Sequence, residues 1–180
     1  MSAEDIIDMT GDSSEAEEDV GEAKAEIKRE YAHYGSNTDE INDYLGGVIR
    51  GRYRFLVQGR MRPMRKVPDE PTVYIMLTRA RHWVGIGLDM TAMCYAVIGS
   101  RSHLGPFRSW MEASGISPTD LRNVTPAVGA QEESECGAYV AVFAEWFVNE
   151  REAGARRRRP IPRFRERVRE LMAEWRAARR

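Results

Sequence analysis

At 180 residues the chain is long enough for one domain with a proper hydrophobic core plus flanking segments. Its formal net charge of -1 conceals a polarity. Residues 1–30 carry eleven acidic and three basic side chains, and residues 151–180 carry four acidic and twelve basic ones, so an acidic head and an arginine-rich tail bracket a nearly neutral middle. The acidic start, with no apolar stretch behind it, argues against a secretory signal. No run is long and apolar enough to cross a membrane. Two cysteines in dissimilar contexts, Cys94 and Cys136, argue against a disulfide framework. The expected setting is intracellular and reducing, in the nucleus or the cytoplasm.

In chain order, residues 1–20 are acidic and weakly hydrophobic and read as disordered; Ala, Glu and Lys give residues 21–31 some helical character. A stronger helix is expected from Asn37-Thr38-Asp39-Glu40, where Asn37 or Thr38 caps the start and Ile41, Tyr44, Leu45 and Val48 share a face. Gly46-Gly47 weakens its end. The prolines and basic clusters of residues 60–71 indicate a loop. Three runs rich in β-branched and aromatic residues predict strands: Thr72–Leu77, His82–Leu88 and Met93–Ile98. A helix over Pro106–Ala113 and a strand within Leu121–Val128 follow. A strong helix is expected over Gly137–Asn149, with Val140, Phe143, Ala144 and Phe147 on one face. Beyond Arg156–Arg159, Phe164, Val168, Leu171, Met172 and Trp175 mark an amphipathic helix. The organisation expected is an acidic segment (1–30), a folded α+β domain with a small central mixed sheet flanked by helices (31–152), and an arginine-rich tail carrying a helix (153–180).

Chemistry concentrates in Gln131-Glu132-Glu133-Ser134-Glu135-Cys136-Gly137, directly ahead of the strong helix. A cysteine at a helix N-terminus lies at the positive end of the dipole, an environment that favours the nucleophilic thiolate. Gly137 lets backbone approach a substrate carbonyl, and the Gln131 amide is a donor for a developing oxyanion. His82 opens an apolar strand and is placed at the sheet rim, a suitable position for a general base. Against these readings stand plainer ones: Cys136 as a small core residue, and His82 as an isolated histidine without a catalytic role. His82 precedes Cys136 in the chain, opposite to the papain order.

Three segments together resemble the ubiquitin-like-protein-specific (SUMO) cysteine proteases of the adenain-like, papain-like clan. Asn37-Thr38-Asp39-Glu40-Ile41-Asn42-Asp43-Tyr44-Leu45 is similar to their opening helix, and His82-Trp83-Val84-Gly85-Ile86-Gly87-Leu88-Asp89 to their His-Trp strand. Gln131 through Gly137 is similar to their Gln-(x)n-Asp-Cys-Gly segment, with Glu135 where Asp is usual. The resemblance spans roughly residues 37–150 and implies a SUMO-protease-like, circularly permuted papain-like fold. It implies Cys136 as nucleophile, His82 as general base and Gln131 as oxyanion donor. Trp83, Gly137 and Glu135 would border the substrate, Trp83 as one wall of a tunnel narrow enough to admit only glycine.

The pattern departs at one place. The family carries an Asp-Ser pair after the His-Trp strand, and here the pair is Gly99-Ser100; no acid occurs between Met90 and Met111. Asp89, seven residues along an extended strand, lies roughly 23 Å from His82 and on the opposite face. A thiolate beside an imidazolium is reactive without a third member, so a His82–Cys136 dyad, its ring held by a backbone carbonyl or Ser100, is one expectation. An Asp at position 99 would then raise turnover.

The function implied is cleavage after the C-terminal Gly-Gly of a ubiquitin-like protein, in SUMO deconjugation or processing. The alternatives are an inactive pseudoprotease that binds a ubiquitin-like protein or nucleic acid, a viral-type polyprotein protease, or a clan-related acetyltransferase. Neither a cofactor nor a metal site is expected. Partners are a ubiquitin-like protein or its conjugates and, through the arginine-rich tail, nucleic acid or another polyanion; the tail helix docking on the domain is the equal alternative.

Overall fold

A computed structural model of the chain describes residues 21, 22, 25, 38–99, 104–129, 135–155 and 158–180. Runs of β-branched and aromatic residues pair here into a five-stranded mixed sheet in the order β1 (Tyr53–Val57), β2 (Thr72–Leu77), β3 (Trp83–Asp89), β4 (Cys94–Ile98) and β5 (Arg122–Asn123). The central strands are antiparallel, joined by the short connections at 78–82 and 90–93, whereas β1 runs parallel to β2 and β5 parallel to β4. Among the described residues, α1 (Thr38–Val48), α2 (Leu104–Ala113), α3 (Cys136–Glu152) and α4 (Phe164–Ala178) flank the sheet; a 3₁₀ turn spans Pro118–Asp120. The α+β class and the mixed sheet flanked by helices are as the sequence implies.

Strand alternation sorts the core into two layers. Val73, Ile75, Leu77, Trp83, Cys94, Ala96 and Ile98 face α1, α3 and α4. Tyr74, Met76, Val84, Ile86, Leu88 and Tyr95 face α2, where Tyr74 meets Trp110 edge-on at 4.7 Å. The 60–71 loop is tied to α2 by two bonds: Trp110 Nε1 donates to the Arg62 carbonyl at 3.0 Å, and the Met64 N–H donates to Ser114 Oγ at 2.9 Å.

Helix α3 is the pivot. Rather than one apolar face it has apolar residues all round, because it lies between the sheet, α1 and α4, and 13 of its 17 residues are buried. The strand beneath makes room for it with glycine. A Cβ on Gly85 would stand 3.0 Å from Val140 Cγ2, and one on Gly87 would stand 2.6–2.7 Å from three Phe147 ring atoms.

Several sequence expectations shift. Asn37 lies outside the described residues, and Thr38 Oγ1, buried at the start of α1, has no hydrogen-bond partner among the described residues, so the Thr38 side chain caps none of them. Just past the end of α1, Ile49 takes the buried place expected of Val48, which is 37% exposed. The strand expected within Leu121–Val128 shrinks to two residues. Helix α4 packs into the main core through Phe164, Val168, Leu171 and Trp175.

Candidate functional site

Which ends of these elements meet is settled by the glycine contacts. Val140 sits over Gly85 and Phe147 over Gly87, so α3 runs along β3 in the same direction. Cys136 precedes Val140 by one turn, about 6 Å of helix. His82 precedes Gly85 by about 10 Å of extended chain. Both therefore lie at the same end of the sheet. Leu77, Trp83 and Cys136 belong to one contiguous core cluster.

Cys136 is the first residue of α3 and only 7% exposed. Glu135 is the N-cap, half-buried, and its side chain makes no capping bond. Gly137 is buried beside the cysteine. Gln131, the expected oxyanion donor, and Ser100, a candidate third member, lie outside the described residues.

His82 is held at its backbone by a residue the motif reading passed over. Its N–H donates to Thr78 Oγ1 at 3.1 Å, and its carbonyl accepts from the Thr78 N–H at 2.9 Å. Thr78 is itself 3% exposed; its position four residues ahead of the histidine, across a tight connection, is the signal that points to it. The ring is less supported. Nδ1 is buried with no hydrogen-bond partner, so nothing among the described residues fixes the imidazole through that atom. Trp83 is 2% exposed and packs edge-on against Phe55 at 6.2 Å, as a core residue does.

The sheet register locates the departure from the family pattern. Gly85 pairs with Ile98, so one step further sets Gly99 opposite Val84, diagonal to His82 and on the same side of the pleat. That is a place from which an acid would reach the ring. Gly99 has φ +138, a backbone state that L side chains rarely adopt. The Asp substitution that the sequence invites is therefore strained, and its effect on turnover mixes a new carboxylate with a distorted strand end. By the same alternation Trp83 faces α3 while His82 falls with Val84 toward α2, so any His82–Cys136 contact would have to pass around the end of the sheet.

Cys94 is the contrasting thiol. It is fully buried, opposite Asp89 at the far end of β3, and neither cysteine is in a disulfide. Burial pushes its thiol pKa up, against the pull of Arg151, whose Nη1 donates to Sγ at 3.4 Å. Asp89 is likewise at that far end, away from His82.

Helix α4 reaches the site end. Phe164 meets Tyr139 edge-on at 4.9 Å, one turn beyond Cys136. The Arg165 guanidinium lies over Gly129, where a Cβ would come within 2.6 Å of Nη2. Among the described residues no group of three or more His, Cys, Asp or Glu could hold a metal ion, and no helix is long and apolar enough to cross a membrane. No protein-family model matches the chain, and no curated protein matches its sequence.

Proposed function

We propose that the protein is a thiol hydrolase of the kind its motifs resemble, with a SUMO-protease-like fold, cleaving after the glycine tail of a ubiquitin-like protein. The observation that carries the reading is the common end of α3 and β3: a cysteine on the first residue of the central helix and a histidine leading the adjacent strand. Cys136 Sγ attacks the carbonyl carbon of the terminal glycine, its proton going to His82. The tetrahedral oxyanion is held by backbone N–H groups at the start of α3 and by Gln131. Collapse expels the amine, which takes the proton from His82, and water then releases the glycine carboxylate from the thioester.

The test is incubation with a panel of ubiquitin-like proteins bearing a C-terminal electrophile, with Cys136→Ala and His82→Ala alongside. A covalent adduct that requires Cys136, slows without His82 and prefers one modifier is the expected outcome. No adduct with any modifier from folded protein would overturn it. A second reading has its own support in Gly99 and in His82 Nδ1, which has no hydrogen-bond partner among the described residues: a pseudoprotease that binds a modifier without cutting it. Saturable binding by calorimetry with no adduct would favour that reading.

A further inference from the structure

The exposed surface of α4 is divided by charge. Its buried face is Phe164, Val168, Leu171 and Trp175. On one flank stand Glu166, Glu170 and Glu174, spaced four apart, each already paired: Arg163 reaches Glu166 and Glu170, and Arg167 reaches Glu170 and Glu174. The other flank holds Arg165, Arg169 and Arg176, which share a side by their spacing of four and seven. All three are exposed, and no acid of α4 falls among them. Arg169 and Arg176 form no ion pair among the described residues. Exposed Arg158 and Arg159 precede the helix, and Arg165, over Gly129, brings the stripe to the Cys136 end of the molecule.

We infer that this arginine flank of α4 is a binding surface for the phosphate backbone of nucleic acid, read without regard to base sequence. Three features favour that partner. The acids of the helix neutralise Arg163 and Arg167, while Arg169 and Arg176, about 10 Å apart along the axis, have no ion-pair partner among the described residues. Arg169 and Arg176 are both exposed, and guanidinium forks suit phosphate oxygens better than ammonium groups do. Finally, the stripe lacks the apolar anchor on which a protein interface or a membrane-inserted helix depends. The exposed large hydrophobic residues of the described structure, Val48, Val67 and Met93, all lie outside α4.

The experiment is fluorescence anisotropy of the full chain with a labelled single-stranded oligonucleotide of mixed sequence, between about 50 mM and about 200 mM salt. Arg169→Gln/Arg176→Gln should weaken binding by tenfold or more at low salt. The dependence of log Kd on log salt should become shallower by about 1.4, roughly 0.7 for each arginine removed. Arg163→Gln, whose partner acids already neutralise it, should stay within about twofold of the parent, as expected for a group off the binding flank. Thermal melts of both variants should match the parent; should the double variant melt early, Arg169→Gln alone is read, with half the change in slope. Unaltered affinity in the double variant, or an equal loss in Arg163→Gln, would overturn the assignment. Equal competition by polyglutamate of matched charge would also overturn it, pointing to an acidic protein, and stronger binding to phosphatidylserine vesicles would point to a membrane surface. None of these readouts depends on Cys136, so the result stands apart from the proposed hydrolysis.

Discussion

Gly87 and Gly47 show how much a missing side chain can mean. At Gly87 a methyl group would run into the Phe147 ring on three atoms, and neither the strand nor the central helix has room to retreat. Gly87→Ala should cost about 1–3 kcal/mol in denaturant unfolding. Gly47, inside α1 with nothing within 4 Å of its would-be Cβ, should respond oppositely, Gly47→Ala gaining about 0.5–1 kcal/mol. Equal effects of the two substitutions would refute the packing seen at Gly87. Tyr74 offers a titration. Burial, opposed by Arg54, pushes its hydroxyl from 10.0 up to about 12. Below pH 10 both folded and unfolded chains keep this proton, so stability is at its full value. Between there and about pH 12 the unfolded chain loses the proton while the folded one holds it, and stability falls by about 1.4 kcal/mol per pH unit from this residue. Tyr74→Phe should remove that share of the alkaline slope, measured by urea unfolding at stepped pH; an unchanged slope would place the titration elsewhere. The candidate site was legible at this scale only in part. Cys136 and His82 announce themselves by neighbours in the chain, whereas Thr78 and Arg165 act through contacts that only the folded chain creates.

Elements were legible where their own composition decides them. Thr72–Leu77 is β-branched, aromatic or aliphatic throughout and emerges as β2 with the expected limits, and Phe164 through Trp175 carry a helical spacing that survives intact in α4. Strand β1 went unread because Arg54 interrupts its apolar pattern and its only neighbour is β2, reached across the long 58–71 connection. The expected strand after Leu121 shortens because Thr125 turns its hydroxyl to accept from the Val97 N–H at 3.0 Å, replacing a ladder bond with a side-chain one. For α4, sequence left docking and polyanion binding level, since both use an amphipathic helix. Its apolar face is buried against α3, and Arg179 pairs with Glu40 of α1. The energetics of that seat should be unequal: Phe164→Ala, which loses a 7% exposed ring and its contact with Tyr139, should cost about 3–5 kcal/mol. Arg179→Ala, with its side chain 45% exposed, should cost under about 1 kcal/mol. Urea denaturation of the two variants tests the order, and a larger loss from Arg179→Ala would mean that charge, not packing, holds the helix.

At the scale of the molecule, each layer is closed by parts distant in sequence: α1 from the start of the domain, α3 from its end and α4 beyond it all cover one face, while α2 covers the other. Composition gives the α+β class, since strand-like and helix-like segments are both plain in it, but not which helix covers which face; that depends on the handedness and length of connections. The contacts of α3 with β3 carry a mechanical consequence. Val140 seated at Gly85 and Phe147 seated at Gly87 act as two detents on one rod. Sliding α3 by a turn would have to lift both side chains out of their seats at once and drag α1 and α4 with it. The Cys136 thiol therefore sits on a fixed mount, and any adjustment of shape at this end of the molecule falls to the connections around that mount rather than to the helix that carries the thiol.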